Sequence, residues 1–223
     1  MLTVVGSRFI EVSHAIEPGM TTYPGLPEPR AETILDYETS RERYQGKAEF
    51  FIGSLHLCGN TGTYVDSPRH RFRDGLDLAQ LPLERLAHLP VTVIDATRAG
   101  RAVGPDLIPR DVSGQAVLVR TGFSRNWRTE AYFTANPFLT SEACDALVAA
   151  RPQFVGIDSL NIDDAADPAR PAHTKLLGAG IPICEHMTNL EAVPPSGGLL
   201  HAVPIAWVGG VTFPVRAYVM VGA

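Results

Sequence analysis

Residues 115–121 read Q-A-V-L-V-R-T, and residues 91–97 read V-T-V-I-D-A-T. Both stretches are short, apolar and β-branched, which is the pattern of a buried strand rather than a helix. Working outward, residues 8–16, 48–58, 153–158, 181–185, 203–208 and 215–221 carry similar extended signals. Helical signals are fewer. Thr140 or Ser141 can cap a helix that runs to about Arg151, where Pro152 stops it. Pro82 can open a short helix through Ala87, and residues 173–178 suit one or two turns stopped by Gly178 and Gly180. Strands outnumber helices, yet some alternate with them. This predicts a mixed α/β domain with much of its sheet buried. Residues 1–223 read as a single domain without repeat or linker, and a Pro/Gly-rich arm around residues 18–29 reads as a rigid loop.

Composition narrows the partners. The chain has 223 residues, 45% hydrophobic and 19% charged, enough for one well-packed core rather than disorder. A net charge of -5 argues against nucleic acid as the main partner. Residues 192–215 carry no Asp, Glu, Lys or Arg, but Pro194, Pro195, Pro204 and Pro214 break them up, which argues against a membrane helix. The opening M-L-T-V-V-G-S-R-F-I-E-V lacks the features of a secretory signal. Cys58, Cys144 and Cys184 are widely spaced and odd in number, so a reducing cytoplasm is expected.

The chemistry concentrates in residues 60–70, N-T-G-T-Y-V-D-S-P-R-H. Asp66 offers an oxygen ligand or a base, and His70 a nitrogen ligand or a proton carrier. Gly62 lets the backbone turn tightly, and Pro68 stiffens the segment that carries His70. The same residue types also make an ordinary loop. Three apolar strands end in carboxylates, Asp95, Asp158 and Glu185. Such residues are turn formers or site residues.

The segment resembles the signature H-x-G-T-H-x-D-x-P-x-H of the metal-dependent cyclase/hydrolase family (kynurenine formamidase and isatin hydrolase-like). Gly62, Thr63, Asp66, Pro68 and His70 match, while Asn60 and Tyr64 stand where the pattern has its first two histidines. Further segments are similar: I-E-V-S-H-A-I-E-P-G-M-T-T-Y-P-G near the start, V-L-V-R-T-G, V-G-I-D-S, and the late H-T-K-L-L-G-A-G-I-P-I-C-E-H-M-T-N-L.

The resemblance implies an α/β fold with a mixed sheet, a β-barrel-like centre flanked by helices, and a homodimer or homotetramer. It implies a hydrolase acting on an amide, formamide, lactam or lactone bond of a small molecule. It assigns His70 the proton transfers, with Asp66 beside it. It makes Asp66, His173 and Glu185 metal ligands, and puts Tyr23 in the substrate pocket with Asn60 and Tyr64. Two lost imidazoles weaken a zinc position, whereas an oxygen-rich set with His173 suits Mn²⁺ or Mg²⁺. A metal-free cyclase or lyase using His70 and Asp66, and an inactive small-molecule binder, remain alternatives.

Other features read more plainly. Arg69, Arg71 and Arg73 form a solvated basic turn or an anion attractor. Period two would put His56, Cys58 and Asn60 on one strand face. His186 would point away from Glu185. Trp127, Tyr132 and Phe133 suit plain packing. The chain has no G-x-S-x-G elbow, P-loop or G-x-G-x-x-G pattern.

Overall fold

The computed structural model describes residues 6–222. In chain order the elements are β1 (Arg8–Glu11), β2 (Arg30–Leu35), α1 (Tyr37–Arg43), β3 (Ile52–His56), β4 (Tyr64–Asp66), β5 (Ala87–Asp95), β6 (Ala102–Val103), β7 (Ala116–Arg120), β8 (Phe138–Leu139), α2 (Ser141–Ala150), β9 (Phe154–Ile157), α3 (Pro171–Gly178), β10 (Ile183–Glu185), β11 (Ser196–His201), β12 (Thr212–Pro214) and β13 (Tyr218–Val221). Nine strands form one curled sheet in the order β1-β13-β11-β5-β7-β9-β10-β4-β12. Strands β5, β7, β9 and β10 run parallel to their neighbours in that series. Strands β4 and β12 continue it antiparallel at one end, and β11, β13 and β1 at the other. The expected mixed sheet with a barrel-like centre and flanking helices is therefore present, as a half-barrel.

The unbroken apolar runs have a direct cause: both faces of the central strands are covered. Alternate residues of β7 enter different cores. Ala116 and Leu118 face the inside of the curl with Phe154, Cys184, Leu190 and Val219. Val117 and Val119 face outward with Leu147 of α2 and Leu176 of α3. Truncating Leu147 or Leu176, both fully buried, to Ala costs about 2–5 kcal/mol. A Cβ at Gly156 on the inner face would lie 2.3 Å from Met187 Sδ, so any larger residue there requires the Met187 side chain to shift.

Helix α2 starts where expected: the Thr140 side chain accepts from Ala143 N, and Arg151 ends it in the left-handed conformation before Pro152. Several other expectations need correction. Residues 203–208 form no strand; they are irregular, and the strand lies earlier, at β11. Gly197 and Gly198 gave β11 a poor strand signal. The segment 48–58 contributes only β3, which pairs with β2 in a separate two-stranded ribbon. Because β3 stops at His56, Cys58 and Asn60 do not share a strand face with it. Strand β1 ends at Glu11 instead of Ile16. Helix α1, capped by Asp36, was not anticipated.

Candidate active site

The site sits where the sheet changes from parallel to antiparallel. Strand β10 pairs parallel with β9 on one side and antiparallel with β4 on the other. The register sets Glu185 opposite Tyr64, and Thr212 of β12 opposite Asp66. Tyr64 and Asp66 are two residues apart, so both point to the face covered by α3. Val65 points the other way, into the inner core. Gly62, at φ +63°, makes the turn into β4, and its Cβ would crowd Ile16 at 3.2 Å.

Helix α3 supplies His173. No side chain caps its first residues from Arg170. Instead Asp163, from the preceding loop, accepts from Ala172 N at 2.6 Å and His173 N at 3.1 Å. The same carboxylate bonds His173 Nδ1 at 2.6 Å. That fixes the ring and turns Nε2 toward the sheet, 3.8 Å from Asp66 Oδ2 and 3.7 Å from Glu185 Oε1. Burial opposes a charge on His173, but Glu185, Asp163 and Asp66 outweigh it and push its pKa up to about 10. Burial would likewise raise Asp66; the neighbouring His173 and His70, with the Thr212 hydroxyl, hold it below its ordinary value. Burial dominates at Glu185, with Asp66 adding repulsion and His173 opposing both, and lifts its pKa to about 7.

Tyr64 is fully enclosed. Its hydroxyl donates to Glu185 Oε2 at 2.6 Å, and Ile162 N donates to Oε1 at 2.6 Å. Burial and the charge of Glu185 push the phenol well above its usual pKa, so it stays neutral. A neutral phenol already donating to a carboxylate is no metal ligand. At the position of the second motif histidine, a phenol hydrogen-bonded to Glu185 stands instead.

His70 is the solvent-exposed member of the group. Thr212 Oγ1 donates its one proton to Asp66 Oδ1 at 2.6 Å, and His70 Nδ1 lies 3.1 Å from Thr212 Oγ1. The shared hydroxyl therefore accepts from His70 Nδ1–H, leaving Nε2 as the free nitrogen. Asp66, His70 and His173 each offer a ligand atom within 4.8 Å of the others. Asp66 Oδ2 is buried without a hydrogen-bond partner. An orphaned carboxylate oxygen facing an imidazole nitrogen is a donor set suited to a divalent cation.

A cavity of ≈ 490 Å³ opens onto these groups. Tyr23, Pro24 and Leu26 of the arm form its apolar lip, and Asn60, Tyr64, His70, His173 and Glu185 line its floor. The expected site residues thus converge, with Asp66 behind the floor. Of the three arginines near His70, Arg71 lines the cavity, bonding Thr174 Oγ1 at 3.0 Å. Asp163 and Thr212 were missed, because neither has a local motif.

The other strand-end carboxylates are structural. Asp158 accepts from Thr121 and Gly122 backbone N–H groups, and Asp95 pairs with Thr97 and Arg120. His186 lies away from the ion cluster, its Nδ1 2.9 Å from the Tyr132 hydroxyl. Trp127 stacks on His14 with centroids 4.1 Å apart, and Tyr132 is buried, which bears out packing roles.

A family model described as "Putative cyclase" matches residues 10–164. The kynurenine formamidase of Salinibacter ruber is 30% identical over 210 residues, covering 93% of this chain and 95% of its own. That of Bacillus cytotoxicus is 27% identical over 214 residues, covering 96% and 97%. Among solved structures, isatin hydrolase A from Labrenzia aggregata superposes with a TM-score of 0.82 at 25% identity, covering 97% of this chain and 94% of its own. A protein described as a potential metal-dependent hydrolase with cyclase activity superposes at 0.79 with 26% identity, covering 96% and 98%. Matched along nearly its whole length by hydrolases that share its half-barrel, the chain belongs to the cyclase family.

Proposed function

We propose that the chain hydrolyses an amide, formamide, lactam or lactone bond of a small molecule, with Asp66, His173 and Glu185 holding one divalent cation and His70 moving the proton. The observation that carries this reading is the buried, unpartnered Asp66 Oδ2 facing His173 Nε2 beside the cavity. The oxygen-rich set suits Mn²⁺ or Mg²⁺ better than Zn²⁺. When bound, such an ion lowers the pKa of a water and polarises a carbonyl.

The chain's own residues do the rest. Asp163 keeps the His173 ring in place. Thr212 orients His70 so that Nε2 takes a proton from the attacking water and returns it to the leaving nitrogen or oxygen. Asn60, on the cavity floor, donates to the substrate carbonyl, and Tyr64 holds Glu185. Tyr23, Pro24 and Leu26 cover the apolar part of the substrate and exclude water. The likeness to kynurenine formamidase and isatin hydrolase supports an aryl amide as substrate. The three free cysteines suit a reducing compartment, the cytoplasm. No helix among the described residues is long and apolar enough to cross a membrane.

His173 must lose its proton to bind a cation, so metal affinity rises with pH toward about 10. The test pairs metal analysis of protein purified without chelators with turnover on a panel of aryl formamides, lactams and lactones. Near-stoichiometric metal, chelator-sensitive turnover and loss of turnover in His70→Ala with the fold retained are expected. Turnover unaffected by chelator refutes the cation, near-normal activity of His70→Ala refutes its role, and ligand binding without turnover on any substrate refutes the hydrolase.

A further inference from the structure

Two arginines open onto the cavity of the candidate active site with donors to spare. Arg71, the residue after His70, and Arg170, the residue before α3, both line it, whereas Arg69 and Arg73 do not. Arg71 Nε donates to Thr174 Oγ1 at 3.0 Å, and its two terminal nitrogens make no hydrogen bond among the described residues. Arg170 Nη1 makes only long contacts, 3.3 Å to Asp164 O and 3.4 Å to Asn161 Oδ1. Thr174 N bonds Arg170 O at 2.9 Å, one helical turn along, so the two guanidinium groups share one side of the cavity. Arg170 is held at φ 49°, ψ 59°. That left-handed conformation is uncommon for a residue with a Cβ, and such strain collects at ligand sites. The nearby carboxylates are engaged elsewhere. Asp164 pairs with Arg101 at 3.1 Å, Asp163 holds His173, and Glu185 is held by Tyr64 and Ile162.

We propose that the substrate of this site is an anion: an aryl amide, formamide, lactam or lactone that carries a carboxylate away from the bond to be cleaved, and no ammonium group. The inference rests on the hydrolase reading above and names the substrate class within it. Burial sets the direction. His173 and Glu185 are buried, while Arg71 is exposed and Arg170 half-buried. The reacting carbonyl therefore points inward, and the carboxylate stays at the outer end. Planar guanidinium groups with unused N–H donors take a carboxylate through paired hydrogen bonds. An ammonium group meets no partner there, because Glu185 is the only carboxylate among the described residues that line the cavity, and it is already bonded. A neutral substrate would displace water from two cations and offer no anion in return.

The test compares metal-loaded protein on 3-formamidobenzoate, the neutral 3-formamidobenzamide and the zwitterionic 3-formamidophenylalanine. The acid should exceed the other two in kcat/KM by roughly 10–100-fold, the worth of one or two charge-assisted hydrogen bonds. In R71Q/R170Q the preference for acid over amide should fall at least about tenfold, through KM more than kcat. On the wild type, the KM of the acid should rise several-fold between about 20 and 300 mM salt while that of the amide stays level, which decides the matter if the variant fails to fold. Equal kcat/KM for acid and amide overturns the proposal, as does a zwitterion as good as the acid, a salt-independent KM for the acid, or a folded R71Q/R170Q with the wild-type preference. Turnover of none of the three is a failure of the hydrolase reading instead. Calorimetry then tests the arginines alone: benzoate should bind about tenfold tighter than benzamide to the wild type and no tighter to R71Q/R170Q. Benzoate that keeps its advantage in the double variant is held by other groups, and that overturns the proposal.

Discussion

Replacing Tyr64 by Phe removes one oxygen from a fully enclosed place and tests the reading of the site directly. Glu185 keeps the Ile162 N–H on Oε1 but loses the 2.6 Å donor on Oε2. Both residues are at most 2% exposed, so water does not replace the bond without reorganisation. A hydrogen bond to a charged group contributes about 1.5–3 kcal/mol, and a loss near 2 kcal/mol lowers Tm by about 4–8 °C in a chain of this size. The loss has a pH signature. The Tyr64 bond holds the Glu185 pKa down, against the burial that lifts it to about 7. In the variant that pKa moves higher still. Below about pH 7 the carboxyl is protonated in both proteins and the difference shrinks; above it only the wild type offers the carboxylate a second donor and the difference grows. Urea unfolding of chelator-treated protein at pH 6 and pH 8, followed by tryptophan fluorescence, measures both values. A difference under about 0.5 kcal/mol at both pH values, or a larger one at pH 6, refutes the Tyr64–Glu185 bond.

Thr212→Val removes the hydroxyl between Asp66 and His70 and should lower kcat about 10–100-fold with the fold intact, as loss of a supporting partner does; kcat within twofold of wild type refutes the positioning role. Asn60→His with Tyr64→His should raise zinc affinity, read by calorimetry, and unchanged affinity would show that positions 60 and 64 do not face the ion. Burial, with a smaller push from His14, holds His186 neutral down to about 3, so the unfolded chain binds a proton below about 6.5 that the folded chain refuses. Stability should therefore fall by about 1.4 kcal/mol per pH unit from this residue as pH drops from 6.5, and His186→Gln should remove that slope in urea titrations; an unchanged slope refutes it.

The parallel strands were legible because burial on both faces leaves long apolar runs, as in residues 115–121 and 153–158. His173 and Glu185 were legible because the order of segments resembled a known pattern. Thr212 was not: it meets Asp66 only through strand pairing across 146 residues of chain. Asp163 was equally hidden, because its partner His173 becomes a neighbour only when the loop folds onto the first turn of α3. Strand β11 was lost to two glycines, and β2 to its exposure, which leaves it no buried face to create an alternating pattern. Tyr64 was the most informative misfit. Its place in the motif marked a site, and the structure supplied its hydrogen-bond partner, Glu185.

The pairing of β4 with β10 has a consequence for substitution at position 64. Position 64 faces position 185 because of backbone register, whatever side chain stands there. The sheet is thus a socket whose contents can be exchanged one residue at a time. Exchanging the side chain at position 64 therefore changes the partner offered to Glu185 without moving the strand that presents it.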